Sequence, residues 1–333
     1  MPHPVPQSPE PGNPGRVMAA VKTGLKKGWS GLIWLVKILV PVSFATALMV
    51  HYQLLHHLDF LLQPMMSMIH LPASAAVVLV IGIFTGIYGT VAALSVMPFA
   101  MPHMILIAVF TLISHNLIQE SLVQANSGLR FSTAVAFRLV ISFIVTMICG
   151  WIMGVDPGSA GAAGVPAAQS SAGPLSAMLI DWAQGTAWLC LKILCIIMPL
   201  MVVMELARTF HVIEAVTHIT APVLKLLGLD RSCALLWMTA AIFGLAYGAA
   251  VIVEETKNNA HDPQTLTRLQ LSIGINHAMI EDPSLFLPLG VPVLWLWIPR
   301  LVAAMASAWL HMGFSSARRF YAARLGHKKL CDH

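Results

Sequence analysis

Long apolar stretches alternate with short polar ones along most of the chain. The pattern predicts two series of five segments, at about 30–50, 53–70, 74–97, 102–122 and 131–153, then at about 183–207, 211–228, 232–253, 267–288 and 291–313. A helix of about 20 apolar residues is long enough to cross a hydrocarbon core. Segments with the period-two alternation of barrel strands are not found, so we expect helices. The sequence therefore predicts an all-α protein of about 8–10 transmembrane or re-entrant helices.

The composition strengthens this prediction. The 333 residues are 57% hydrophobic and only 10% charged, and the mean hydropathy is +0.78. A soluble domain with so few charged residues would lack the polar surface that it needs in water. We therefore expect the lipid bilayer to be the surroundings of this chain.

The basic residues predict which side of the membrane holds the termini. Nine of the 19 Lys and Arg residues lie before the first span or after the last: Arg16, Lys22, Lys26, Lys27, Arg318, Arg319, Arg324, Lys328 and Lys329. The positive-inside rule then places both termini in the cytoplasm. Because the net charge of +5 is concentrated at these ends, it gives no reason to expect a nucleic-acid partner.

Composition also predicts the boundaries of five regions. A Pro-rich and then basic tail, 1–28, is expected to be disordered, and 154–181 is a linker rich in Gly, Ala, Ser and Pro. Two membrane repeats, 29–153 and 182–314, flank the linker, and a basic tail covers 315–333. If the amphipathic segments 53–70 and 211–228 lie in the interface, each repeat has four crossings and the repeats are parallel. If they cross or re-enter, the repeats are inverted, which the loop charges favour.

The evidence for two repeats is a set of matched landmarks. Ile83-Phe84 with Tyr88-Gly89 matches Ile242-Phe243 with Tyr247-Gly248, and Arg138-Leu139-Val140 matches Arg300-Leu301-Val302. The best match is a polar cluster, in which His115 and the residues after it align with His277 and the residues after it. A duplicated fold is thus expected to carry a duplicated polar site.

These clusters are the predicted substrate- or ion-binding residues: His115, Gln119, Glu120, Asn276, His277, Glu281 and Asp282. A charged side chain at the centre of a bilayer costs at least about 2.5–3.5 kcal/mol, so one that is retained there suggests function. On a continuous helix, His277 and Glu281 would share a face. Asp282-Pro283 predicts a helix break with Asp282 as the cap of a new helix. The alternative is an interfacial loop that only links helices.

A second matched group surrounds these clusters. Its members are predicted to line a cavity or to let helices pack closely: Gly86, Tyr88, Gly89, Gly244, Tyr247 and Gly248. The spacing Gly82-x-x-x-Gly86 recurs as Gly244-x-x-x-Gly248, a pattern typical of close helix contacts in membranes. The two tyrosines would add hydroxyl groups to the same region.

The Tyr-Gly segments, the run His277-x-x-Ile280-Glu281-Asp282-Pro283-Ser284 and the following Pro299-Arg300-Leu301-Val302 resemble the Gate or nucleoside-recognition domain. Concentrative nucleoside transporters, the membrane part of ferrous-iron permeases and spore maturation membrane proteins share that domain. The resemblance covers about 188–305 and, more weakly, 34–145, and it implies an inner-membrane protein. The chain contains no P-loop of the GxxxxGK[ST] type, which excludes an iron permease with its own GTPase domain.

Two functions follow as hypotheses. The preferred one is a secondary transporter or permease of a small polar solute or cation, with proton coupling through the histidines. The resemblance makes the solute nucleoside-like. The alternative is a scaffold or sensor of the spore-maturation type. An enzyme and a bound cofactor are not expected, while a metal, a homo-oligomer and a membrane partner protein stay open.

Overall fold

The computed structural model describes residues 14–54, 56–97, 99–155, 174–210, 212, 221–229, 233–234, 236–245 and 262–331. Its regular elements there are helical, as predicted. The helices are α1 (Pro14–His51), α2 (His56–Ser67), α3 (Ala75–Thr85), α4 (Ile87–Leu94), α5 (Met101–Ser114), α6 (Leu117–Asn126), α7 (Phe131–Ile152), α8 (Leu175–Thr209), α9 (Ala221–Leu226), α10 (Leu236–Leu245), α11 (Pro263–Ile275), α12 (Glu281–Ser284) and α13 (Val293–Cys331), with a 3₁₀ turn at Leu287–Leu289.

Five stretches of the described chain are long and apolar enough to cross a membrane: Gly15–His51, Met101–Asn126, Phe131–Ile152, Leu175–Thr209 and Val293–Ser315. The Met101–Asn126 stretch lies at the centre of the molecule, since 72% of its most apolar window is buried, against 17–33% in the other four. Helix α5 within it packs on α3, α7 and α13. Buried polar residues of α5 and α6, such as Thr111, Ser121 and Gln124, therefore face protein.

Helices extend past three of the predicted region boundaries. Helix α1 begins at Pro14, so the predicted disordered tail 1–28 is helical from that residue onward. Helix α8 begins at Leu175, inside the predicted linker 154–181, and α13 extends through the predicted tail 315–333 to Cys331. In each case a helix continues past the apolar span into residues with good helix propensity, such as Ala, Leu and Lys. Residues 156–173 lie outside the described residues.

Three predicted spans are interrupted. The span 74–97 breaks at Gly86 into α3 and α4, and the span 102–122 breaks at His115 and Asn116 into α5 and α6. The span 267–288 ends as a helix at Ile275 and continues as α12 and the 3₁₀ turn. Of the span 232–253, the described part includes α10. The amphipathic segments contain α2 and α9, and residues 211 and 213–220 lie outside the described part.

The first long helix of each half packs against its counterpart. Helices α1 and α8 meet along much of their length, where Gly24 and Gly28 of α1 face Met198 and Val202 of α8. Lys27 Nζ bonds Glu205 Oε2 at 2.5 Å. This contact between α1 and α8 joins the two halves of the chain, and its residues are far in sequence from the polar clusters.

Gly24→Ala is expected to lower the apparent melting temperature of the purified protein. A Cβ on Gly24 would lie 2.7 Å from the backbone Cα of Val202, so the two helices must move apart. Gly31→Ala is the matched control on the same helix, because a Cβ there meets no atom within 4 Å. That change should be neutral or stabilise by up to about 1 kcal/mol, since Ala favours helix over Gly. Equal melting temperatures for both variants would contradict this packing.

Candidate functional site

The first polar cluster forms where one helix stops and another starts. Helix α5 ends at Ser114, His115 is extended, and Asn116 adopts a left-handed conformation with φ 44° before α6 begins. Asn is among the residues that tolerate this conformation best. The Asn116 backbone N–H donates to the carbonyl of Gly82 on α3 at 3.2 Å. The break therefore stays anchored to a neighbouring helix.

The second cluster has the same backbone geometry. Helix α11 ends at Ile275, and Ala278, the residue after His277, has φ 44°, the value found at Asn116. The Ala278 N–H donates to the carbonyl of Ala240 on α10 at 3.1 Å. Each histidine thus lies directly before a left-handed residue whose amide is bonded to another helix.

Two glycines make room for these breaks. Gly86 ends α3 with φ 82°, and Gly244, near the end of α10, has φ 81°. A Cβ on Gly86 would lie 2.7 Å from the Asn116 amide nitrogen, and one on Gly244 would lie 3.4 Å from the Cβ of Ala278. A positive φ favours Gly at both positions. Gly89 is buried within α4.

Two arginines inside apolar helices satisfy the carbonyls that the breaks leave free. Arg138 of α7 donates through Nε to the Ile113 carbonyl at 2.8 Å and through Nη2 to the His115 carbonyl at 2.9 Å. Arg300 of α13 donates in the same way to the carbonyls of Ile275 at 3.0 Å and His277 at 2.5 Å. The last carbonyls of a helix lack partners within it, so a buried helix end needs such donors. Both arginine side chains are fully buried.

The breaks bring the two histidines together. His115 and His277 are buried, their ring centroids are 5.0 Å apart, and their Nε2 atoms are 3.4 Å apart. One ring comes from each half of the chain. The halves therefore meet at one shared site.

Two carboxylates approach the same pair of nitrogens. Glu120 Oε1 lies 3.3 Å from His115 Nε2. Glu120 Oε2 lies 3.1 Å from His277 Nε2 and 2.7 Å from Arg138 Nη2. Asp282 Oδ2 lies 3.1 Å from His115 Nε2. The Glu120–Arg138 contact is an ion pair, whereas the contacts of Glu120 and Asp282 with the rings are ionic only when a ring is protonated. The site is an ionic cluster with atoms from both halves.

The other ring nitrogen of each histidine faces a backbone carbonyl. His115 Nδ1 lies 3.0 Å from the Thr111 carbonyl, and His277 Nδ1 lies 2.9 Å from the Ile273 carbonyl. A carbonyl only accepts, so Nδ1 must carry the proton in each ring. In the neutral ring, Nε2 then presents a lone pair to the centre of the site.

The remaining predicted residues have four different placements. Glu281 lies beside the cluster and accepts a hydrogen bond from Tyr88 at 3.0 Å. Asn276 is fully buried, and its side-chain atoms have no hydrogen-bond partner among the described residues. Gln119 is exposed on α6, so the structure leaves it out of the cluster. Tyr247 and Gly248 lie outside the described residues.

Two predictions about the second cluster are wrong in detail. His277 and Glu281 do not share a helix face, because α11 ends before His277 and α12 starts at Glu281. The chain breaks before Asp282, and Ile280 rather than Asp282 precedes the first residue of α12. The Ala278 amide explains the earlier break, since its bond to α10 takes the place of a bond within α11.

Sequence reasoning missed the roles of four polar residues. Arg138 and Arg300 were matched as landmarks, although a buried charge in each of two apolar spans was itself a signal of function. Gln124 of α6 donates to the Gln270 carbonyl of α11 at 2.7 Å, and Gln270 donates to Ser127 Oγ at 2.8 Å. These amides join the halves beside the site.

Comparison with known proteins agrees with the helical fold. The chain is 27% identical over 292 residues to the uncharacterized membrane protein YvoD of Bacillus subtilis strain 168. The aligned residues cover 86% of this chain and 91% of that protein. No family model matches the chain, and no solved structure matches it. The chain is a multi-pass, all-α membrane protein. The bilayer is therefore its surroundings, and the ion pair between Arg138 and Glu120 lies inside an apolar protein.

Proposed function

We propose that this protein is a secondary transporter or permease of a small polar solute or cation, which binds between the two halves. The main evidence is that His115 and Glu120 from the first half of the chain contact His277 and Asp282 from the second half. Transporters built from two repeats bind their solutes where the repeats meet, near the membrane midplane and at interrupted helices. His115 lies near the middle of the apolar stretch Met101–Asn126.

The recurrence of backbone geometry supports the proposal that the halves are homologous repeats. A left-handed residue follows each histidine, a glycine with positive φ lies against that residue, and an arginine bonds the carbonyls at each break. We propose the inverted arrangement, with both termini in the cytoplasm of an inner-membrane protein. In that arrangement the two half-sites are related by an axis in the membrane plane.

The charges at the site favour a cation over an anion. Among the described residues of the site, Glu120, Glu281 and Asp282 carry three negative charges when ionised, against two positive charges on Arg138 and Arg300. With both histidines neutral, the five groups sum to −1. Uptake of a proton by a histidine would remove this excess charge, which supports proton coupling.

A solute of nucleoside size, as the family resemblance implies, requires the halves to separate. The facing Nε2 atoms are 3.4 Å apart, which leaves space for an ion or a proton between them but not for a larger molecule. A closed site of this kind fits alternating access, in which one half moves against the other around a fixed binding point.

Uptake into proteoliposomes tests the proposal. Vesicles that contain the purified protein should accumulate a transported solute at a rate that saturates with concentration, whereas protein-free vesicles should not. An inward proton gradient should alter the rate. Uptake that rises linearly for every cation and polar solute tried, equal to protein-free vesicles, would contradict a transport function.

One observation favours the alternative of a scaffold or sensor. The direct contact between the two rings and the burial of the cluster give the packed interior that a non-transporting protein would have. This alternative predicts a stable partner protein that co-purifies from the native membrane. It also predicts that variants of His115 and His277 alter the yield of that complex while uptake stays absent.

A further inference from the structure

We propose that the central site binds a divalent ion of a first-row transition metal, held by His115, His277 and Asp282. This inference rests on the proposed function, because it names the class of solute taken by the same site. One ligand atom from each of the three residues lies within 4.8 Å of the other two.

The first argument is the direction of the lone pairs. The backbone carbonyls of Thr111 and Ile273 fix the proton on Nδ1 of each ring. The neutral rings then present their Nε2 lone pairs to one another, and His115 Nε2 also lies 3.1 Å from a carboxylate oxygen of Asp282. Atoms that only accept repel one another unless a cation lies between them. The arrangement therefore calls for a proton or a metal ion.

The second argument is the spacing. Ligands about 2.0 Å from a tetrahedral ion lie about 3.3 Å from each other. The Nε2 atoms of His115 and His277 are 3.4 Å apart, and His115 Nε2 is 3.1 Å from Asp282 Oδ2. Both distances are close to the edge of such a tetrahedron. The ligand atoms could close on an ion with small side-chain movements.

The third argument is the support behind each ligand. Histidines that bind metals almost always donate the other ring N–H to a carbonyl or carboxylate, which orients the ring. Both histidines have this support from a carbonyl on the preceding helical turn. Arg138 and Arg300 in turn bond the carbonyls of the two histidines themselves. Ring orientation at the site is therefore set before an ion arrives.

The donor types select the class of ion. Imidazole nitrogens suit Zn²⁺, Fe²⁺ and related transition metals, whereas Mg²⁺ and Ca²⁺ prefer sets of oxygen ligands. Glu120 is held by Arg138 at 2.7 Å, so we assign the three other groups as ligands. A fourth position then stays open for water, as in zinc sites that exchange ligands. An open position suits an ion that has to enter and leave.

Titration with Co²⁺ tests the inference on full-length protein in detergent, with any affinity tag removed and metals stripped. The wild type should bind one more Co²⁺ per chain than His115→Ala, His277→Ala or Asp282→Asn. The extra ion should show the visible absorption of a low-coordinate Co²⁺ site, and each variant should weaken its binding by about 100-fold or more. Equimolar Zn²⁺ should displace it, and excess Mg²⁺ should not.

His103→Ala is the matched control, since His103 is also a buried histidine of α5 and has no hydrogen-bond partner among the described residues. It lies about 18 Å along the helix axis from His115. This variant should bind Co²⁺ like the wild type. Asp282→Asn keeps the size of the side chain, so its loss of binding with an unchanged melting temperature would not reflect misfolding.

Equal Co²⁺ binding by the wild type and the three ligand variants would overturn the inference, as would displacement by equimolar Mg²⁺. The outcome is separable from that of the uptake experiment. The extra Co²⁺ without any saturable uptake would support the metal site and contradict transport. Saturable uptake of another solute without the extra Co²⁺ would support transport and overturn the metal site.

Discussion

Arg138→Met is expected to lower the free energy of unfolding in detergent by about 3–5 kcal/mol, a large part of the total stability of a typical protein. Met reproduces the unbranched apolar part of the side chain to about the position of Nε but removes the donors to the Ile113 and His115 carbonyls. It also leaves the carboxylate of Glu120 without its partner at 2.7 Å. Folded yield by size-exclusion chromatography and chemical unfolding followed by Trp fluorescence measure the effect.

The second substitution Glu120→Gln should return part of the lost stability, because it removes the unpaired buried charge. We expect a coupling energy between residues 120 and 138 of about 1–3 kcal/mol. Arg300→Met is the matched comparison, since Arg300 makes the same two carbonyl bonds but, among the described residues, no carboxylate contact within ion-pair distance. Glu120→Gln should rescue Arg300→Met much less. Equal rescue of both arginine variants would show that the 120–138 pair has no specific role.

His277→Ala and His115→Ala are each expected to abolish saturable uptake into proteoliposomes, with a loss of about 100-fold or more. Each substitution removes one of the two facing Nε2 atoms, so the site between the two halves of the chain is left with an incomplete set of ligands. A single buried interaction that contributes about 2.7 kcal/mol to binding accounts for a loss of this size. Initial rates over a range of concentrations measure it.

Two comparisons make the uptake result specific. His103→Ala should leave the uptake rate unchanged, because His103 shares helix α5 but lies far from the cluster. Gln119→Ala, at an exposed position one residue before Glu120, should also have little effect, whereas Glu120→Gln should reduce uptake. Uptake by His277→Ala at the wild-type rate, with wild-type folded yield, would exclude the histidine pair from the transport path.

The sequence predicts the helical class and much of the cluster because both depend on composition. Polar residues such as His115, Glu120 and Asp282 are conspicuous within apolar stretches. Their exact geometry depends on where the backbone leaves the helix, and that is set by tertiary bonds. The Asn116 amide bonds the Gly82 carbonyl of another helix, which no local pattern reveals.

The error at Gln119 has the same origin. On an unbroken helix, Gln119 would lie one turn after His115 and on the same face. The left-handed Asn116 changes the phase of the helix that follows, so Glu120 faces the site and Gln119 is exposed. The arginines were visible as matched residues, but their role as caps requires the positions of the helix ends.

The ion pair between Glu120 and Arg138 bears on the order in which the chain is made. Both residues belong to the first half, so they can meet before the ribosome has synthesised His277 or Asp282. Pairing at that stage would let this acid and this base enter the bilayer with their charges neutralised by each other. Asp282 instead meets His115, a residue made long before it. The shared site therefore becomes complete only after the second half has been synthesised, because His277 and Asp282 both belong to it.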